Sequence, residues 1–300
     1  MLVTGLVYGL LAAAGWGVVD IAGALAVRRI GSLRVQVITL TVGVASFAAF
    51  ALLRPDLLGA DPIPGVLAGL PLGMFAAAGY ITYMTALRLG PISVVSPVTV
   101  SYGGLSVVLA VALRGESLTG LQAAGALLAT LGVVLTAVVL EGGTLRGARI
   151  VGPGVAMALL TVVLFGLLGV LMAGPIRDDG WLPVLLGSRI GNLAAGVALL
   201  AVAAGTGSNR FRLVLEPGHP LTRRILALLV VAGIGDTAAF AVFAIGLEQA
   251  PVWMVTLASS LGPVLVVIFA ILQLGERLRP GQWAGLAALA AGLGVLALTG

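Results

Sequence analysis

Residues 113–132 read "LRGESLTGLQAAGALLATLG", and residues 273–292 read "QLGERLRPGQWAGLAALAAG". Laid over one another without a gap, at a shift of 160, they pair Gly115-Glu116 with Gly275-Glu276 and Leu118 with Leu278. They also pair Gln122 with Gln282, Gly125 with Gly285, and Gly132 with Gly292. The same shift aligns Leu87 with Leu247 and Pro91 with Pro251. Self-similarity at landmark residues is the signature of an internal repeat. The start of each half matches more weakly, with Trp16-Gly17 over Phe165-Gly166 at a shift of 149. The two halves are residues 1–141 and 150–300.

Composition says what kind of solvent the repeat faces. Of 300 residues, 60% are hydrophobic and 9% charged, and the mean hydropathy is +1.19. Soluble domains carry about 25% charged residues, so this chain cannot build a water-facing surface. It reads as an all-α integral membrane protein, multi-pass in a cell (inner or plasma) membrane, with the lipid bilayer as its first partner. Apolar runs of spanning length fall at about 3–27, 33–53, 65–87, 91–113, 118–140, 151–174, 181–204, 224–247, 250–273 and 281–299. That predicts ten transmembrane helices. Each half holds five, an odd number, so the second half enters the membrane from the opposite side. Two inverted five-helix repeats are a common design of secondary transporters, which bind cargo near the midplane and rock around it.

The charged residues narrow the function. All 16 cations are arginine, and the net charge is +5. They stand singly or in pairs between apolar runs, with no basic stripe and no nucleic-acid motif, so nucleic acid is not a partner. There is no cysteine, which excludes disulfides and thiol chemistry. No GxxxxGK[ST] loop is present, and no cofactor is expected. The first residues lack a basic leader region and read as a membrane helix rather than a signal peptide. Loops after odd-numbered spans carry Arg28, Arg29, Arg34, Arg88, Arg146, Arg149, Arg210, Arg212, Arg223, Arg224, Arg277 and Arg279; loops after even-numbered spans carry Arg54, Arg114 and Arg177. The positive-inside rule then puts both termini outside.

A family resemblance follows from these residues. "SSLGPVLVVIFAILQLGERLRPGQWAGLAALAAGLGVL", Ser259 to Leu296, resembles the end of an EamA unit of the drug/metabolite transporter superfamily: Pro263, Glu276, Gln282, Gly285 and Gly292 fit its pattern. The first half repeats Glu116, Gln122, Gly125 and Gly132, with Gly103 in place of the proline and Pro97 as its own kink candidate. The resemblance covers nearly the whole chain as two tandem units. It implies a ten-helix transporter of small organic solutes, with the termini in the cytosol, opposite to the arginine distribution.

Ionisable groups at membrane depth are functional candidates, because a charge at the bilayer centre costs at least ~3 kcal/mol. Asp236 lies mid-span in "VAGIGDTAAFAVFAIG" (Val231–Gly246), Arg189 in "GSRIGN" and Asp20 in "GWGVVDIAG". Asp236 and Arg189 fall within roughly 5 Å of each other in depth at 1.5 Å per residue. Two readings follow. One is a water-accessible pair in which Arg189 takes a carboxylate or phosphate and Asp236 an amine or proton. The other is a buried ion pair that fixes helix packing. Asp20 is either a proton-coupling carboxylate or an interfacial acid. Trp16, Tyr80, Tyr83, Asn192, Phe240 and Ser259 complete the substrate-binding set, with Ser96, Thr99, Tyr102, Ser188, Phe243, Trp253, Thr256 and Ser260 nearby. Glu116 and Glu276 read as structural acids at the N-termini of the helices that follow them. His219 reads as a loop residue, so a metal site is not expected. Gly65, Gly69 and Gly73, and likewise Gly281 and Gly285, have the spacing that lets helices approach in lipid.

The sequence thus points to a transporter, not an enzyme, moving a small metabolite such as an amino acid, coupled to a proton or another ion or uncoupled, as a monomer or homodimer. The alternatives are an exporter of drugs or of nucleotide-sugar or lipid-linked phosphorylated solutes, and an intramembrane lipid-phosphate enzyme.

Overall fold

The computed structural model describes residues 2–89, 95, 98–137, 153–206, 220–262 and 280–299. Among these residues every long element is a helix and none is a strand. The helices are α1 (Leu2–Ile30), α2 (Ser32–Leu53), α3 (Ile63–Leu89), α4 (Tyr102–Arg114), α5 (Gly120–Ala137), α6 (Pro153–Asp179), α7 (Trp181–Thr206), α8 (Arg223–Gln249), α9 (Val252–Ser259) and α10 (Pro280–Leu298). A 3-10 turn at Pro55–Leu58 links α2 to α3. Ser96, Pro97, His219, Pro263 and Glu276 lie outside the described residues.

Among the described residues, six helices are long and apolar enough to cross a membrane: those over Leu2–Val19, Ser32–Leu53, Ile63–Ala86, Pro153–Asp179, Trp181–Gly205 and Arg223–Gln249. Val98–Arg114, Gly120–Gly132 and Trp283–Leu298 are shorter apolar helices. Their outer faces are oily: α1 exposes Val3, Val7, Leu11 and Val18 while burying Ala12 and Ala13. Large apolar side chains outside and small ones inside is an arrangement suited to lipid, where helices associate by close packing rather than by hydrophobic burial.

The helices overrun the apolar runs that foretell them. The run ending near Val27 predicts a connection over Arg28 and Arg29, yet α1 continues to Ile30 and turns on Gly31 alone. Likewise α6 passes Pro175 and Arg177 and turns on Gly180. Both glycines have positive φ, 84° and 86°, a conformation that costs glycine little and other residues much. Arginine can extend a helix past the hydrocarbon because its charged end snorkels to water.

Helix partners exchange in a regular way. α3 packs along α6 and α7, while α8 packs along α1 and α2; α9 packs on α1 and α4 on α6. α2 pairs with α7, α4 with α9 and α5 with α10. Replacing each helix by its fifth neighbour leaves this pattern unchanged.

Glycines make the closest of these contacts. Gly69 and Gly73 face the carbonyls of Val184 and Ser188, and Gly187 and Gly191 face those of Val66 and Leu70, so α3 and α7 meet backbone to backbone. Gly132 lies on Gly285 and Leu289, and Gly292 on Gly125 and Ala129, which seats α5 against α10. The repeated glycines therefore serve contact inside the chain.

The repeated hairpin residues have separate tasks. Gly115 ends α4 in the left-handed region, φ 65°. Thr119 and Gln122 form a reciprocal cap at the start of α5: the Gln122 N–H donates to Thr119 Oγ1 at 3.2 Å and the Thr119 N–H to Gln122 Oε1 at 3.0 Å. This capping box satisfies α5 and releases Glu116, whose expected place was that same helix end. Its carboxylate instead accepts from the N–H groups of Val252 and Trp253, at 2.9 and 3.1 Å, on α9 of the other half.

A side chain at Gly73 has nowhere to go, whereas Gly120 has open space around it. We expect Gly73→Val to cost about 3 kcal/mol, the upper end of overpacking, and Gly120→Ala to be near neutral. Unfolding of both variants in detergent checks this; equal stability would show that the α3–α7 contact is looser than described.

Candidate functional site

α8 carries Asp236, Phe240 and Phe243 at spacings of four and seven, which places them on one helical face. Gly235 opens that face to Val19, and Gly15 on α1 meets Ala239, so α1 and α8 lie close. Trp16 can therefore reach across, and its Nε1 donates to Asp236 Oδ1 at 3.1 Å. From α7, Arg189 Nη1 donates to Asp236 Oδ2 at 2.6 Å and Nη2 to the Asp236 carbonyl at 3.3 Å. The guanidinium also stands 4.3 Å from the centre of the Phe240 ring, a cation–π placement. Trp16 packs on Phe240 edge-on at 4.8 Å and on Phe243 at 5.5 Å. One carboxylate thus joins α1, α7 and α8.

The pair is polarised. The Arg189 side chain is 5% exposed and that of Asp236 18%. The exposed side of Asp236 faces a cavity of about 130 Å³. Trp16, Tyr80, Tyr83, Asp236, Phe240 and Ser259 from the expected set line it. Tyr102 Oη lies 3.4 Å from Ser259 Oγ, and Phe165 packs on Tyr83 and Tyr102 at 6.1 and 5.9 Å.

Arg189 and Asn192 stand behind the wall rather than in it. Arg189 is turned to Asp236. Asn192 Oδ1 accepts from Gln36 Nε2 at 2.7 Å, which ties α2 to α7. Asp20 is on α1, four residues beyond Trp16, and its side chain lies outside the described residues. Gln36 was missed by the sequence reading; its signal is that it is the one amide in α2, in "LRVQVITL". Phe165, Leu168 and Gly169 also line the cavity and were missed.

The repeat itself would have found them. The shift of 149 pairs Trp16 with Phe165 and Val19 with Leu168; the shift of 160 pairs Tyr80 with Phe240, Tyr83 with Phe243, Thr99 with Ser259 and Val100 with Ser260. All twelve residues line the cavity. Each half contributes six matching positions to the lining. The polar exception is Asp236, whose counterpart is Ala76.

Removing one partner of a buried pair leaves an uncompensated charge, at a cost of about 3 kcal/mol or more. Arg189→Ala is expected to lose that much stability in the native background and about 1 kcal/mol in an Asp236→Asn background, where only packing and a neutral hydrogen bond are lost. Unfolding of the four proteins in detergent measures the coupling; equal losses in both backgrounds would show that the pair holds nothing together.

No curated protein matches the chain. A crystal structure is similar over 98% of this chain and 96% of that one, with a TM-score of 0.77 at 21% identity, which shows a shared fold. The EamA-like transporter family matches residues 3–138 and again 152–298, so this is a drug/metabolite transporter-type membrane protein. The chain belongs to the EamA-like transporter family and carries two tandem EamA units.

Proposed function

We propose that the chain is a secondary transporter that moves a small zwitterionic or cationic organic metabolite, such as an amino acid, by alternating access between two inverted five-helix repeats, 1–141 and 150–300. The exchange of helix partners between halves supports the repeat. The placement of Leu2, at the start of α1, and Arg177, near the end of α6, around one pocket supports an inverted arrangement of the two. Ten spans in the inner or plasma membrane follow from the same reading.

The observation that carries the substrate class is the charge of the cavity. Among its described lining residues, Asp236 is the one charged group. Its two oxygens hold Trp16 and Arg189, which leaves further lone pairs for a cargo amine or a coupling proton. Aromatic faces surround it and suit an apolar body. A phosphorylated cargo would need free cations, and Arg189 is already engaged; this counts against the nucleotide-sugar reading. A lipid-phosphate enzyme would need a cluster of catalytic groups at one depth, and the family's members are transporters.

Asp236→Asn decides the role of the carboxylate, because it keeps size and much of the hydrogen bonding. A thermal-shift screen against amino acids and related metabolites chooses the cargo, and liposome uptake, normalised to folded protein, measures flux. The expected result is a folded variant whose flux falls by about tenfold or more, the loss of ~1.4 kcal/mol of binding, or whose flux no longer depends on pH. Near-normal flux with intact pH dependence would make Asp236 a packing residue.

A further inference from the structure

The cavity is closed at the end of the bundle where α6 and α8 finish. A second pocket of about 430 Å³ lies there, lined by Glu116, Gln122, Arg177, Glu248 and Trp253 among others. Both spaces share α9: Trp253 belongs to the outer pocket, and Thr256, one turn on, to the central one. On α6 the central wall reaches Gly169 and the outer pocket Arg177, a rise of about 12 Å at 1.5 Å per residue. That interval is filled by Met172, Ala173 and Ile176 of α6, Ala244 and Leu247 of α8, and Trp253, each no more than 1% exposed. It is an apolar plug, and Trp253 is its largest side chain.

The plug's position depends on how the α8–α9 turn is held. α9 begins after Pro251, which supplies no side-chain cap, so its first N–H groups need acceptors from elsewhere. Glu116, from the α4–α5 turn, provides both at 2.9 and 3.1 Å. A carboxylate is also favoured electrostatically at a helix N-terminus. Arg177 holds the other side of the turn: Nε donates to the Leu247 carbonyl at 3.1 Å and Nη2 to that of Ala250 at 2.9 Å. The two side chains are 3.8 Å apart, 35% exposed for Arg177 and 14% for Glu116. A helix that only needs a cap usually finds it in its own preceding residue. Here the cap comes from the opposite half, so it lasts only while the halves are together at this end. Water reaches both side chains and can replace the bonds when they part.

We propose that Glu116 and Arg177 form a releasable latch on the α8–α9 turn, and that opening of this end of the cavity proceeds by releasing it and withdrawing Trp253. The proposal rests on the alternating-access reading. Neither residue touches the central cavity, so both act by positioning α9.

The native chain has no cysteine, so Ser117→Cys and Gln249→Cys introduce two isolated attachment points, both exposed. Spin labels there report the width of the outer pocket in proteoliposomes, with no cargo needed. The expected result is a longer-distance population that grows by about tenfold in Glu116→Ala, as when a minor state of order 1% rises to order 10%. Glu116→Gln, which keeps one acceptor, should fall between. Arg177→Gln tests the other side of the turn and replaces Glu116→Ala if that variant fails to fold. Distance distributions identical to the parent in the folded variants would overturn the latch, leaving Glu116 a static cap. Absence of flux for any metabolite with the parent protein would count against the transporter reading while leaving the distances to judge the latch.

Discussion

Close approach of helix backbones is the constraint on which the rest of this structure depends. Lipid tails are as apolar as leucine side chains, so nothing squeezes these helices together as water would. They associate where side chains are small enough for backbones to touch. Gly69, Gly73, Gly187 and Gly191 do this for α3 and α7, and Gly125, Gly132, Gly285 and Gly292 for α5 and α10. Gly15 and Gly235 bring α1 to α8, and only that proximity lets the Trp16 indole reach Asp236. The polar site is a product of the glycine packing. The site in turn adds directional bonds, since the Asp236 carboxylate fixes the rotation of α1, α7 and α8 about their own axes.

Much of the architecture was legible in the residues. The run lengths foretold the six long apolar helices among the described residues, and the duplicated hairpin foretold the two units. What the runs could not give was the extent of each helix, because hydropathy marks the hydrocarbon and α1 and α6 continue beyond it. Glu116 shows another limit. An acid just before a helix reads as that helix's cap, and nothing local reveals that Thr119 and Gln122 already fill the role. Its acceptors were freed for α9, a partner 136 residues away in sequence.

The candidate residues were legible by chemistry and their orientation less so. Midplane charge pointed to Asp236 and Arg189, which the fold pairs, and aromatic content to Trp16, Tyr80, Tyr83 and Phe240, which line the cavity. Depth along the membrane could predict that Arg189 meets Asp236, but not that the guanidinium would turn to that residue's carbonyl and the Phe240 ring and so leave the cavity. Asn192 was drawn away in the same manner by Gln36. Polar side chains at one depth pair with each other before they serve a ligand, since an unmatched one is costly in lipid.

Gly31 and Gly180 each form a connection one residue long. A single residue spans no more than about 3.5 Å, so the end of α1 cannot drift from the start of α2, nor α6 from α7. Each pair is a V pinned at its elbow. The two ends at each elbow therefore move together, whatever angle the arms take.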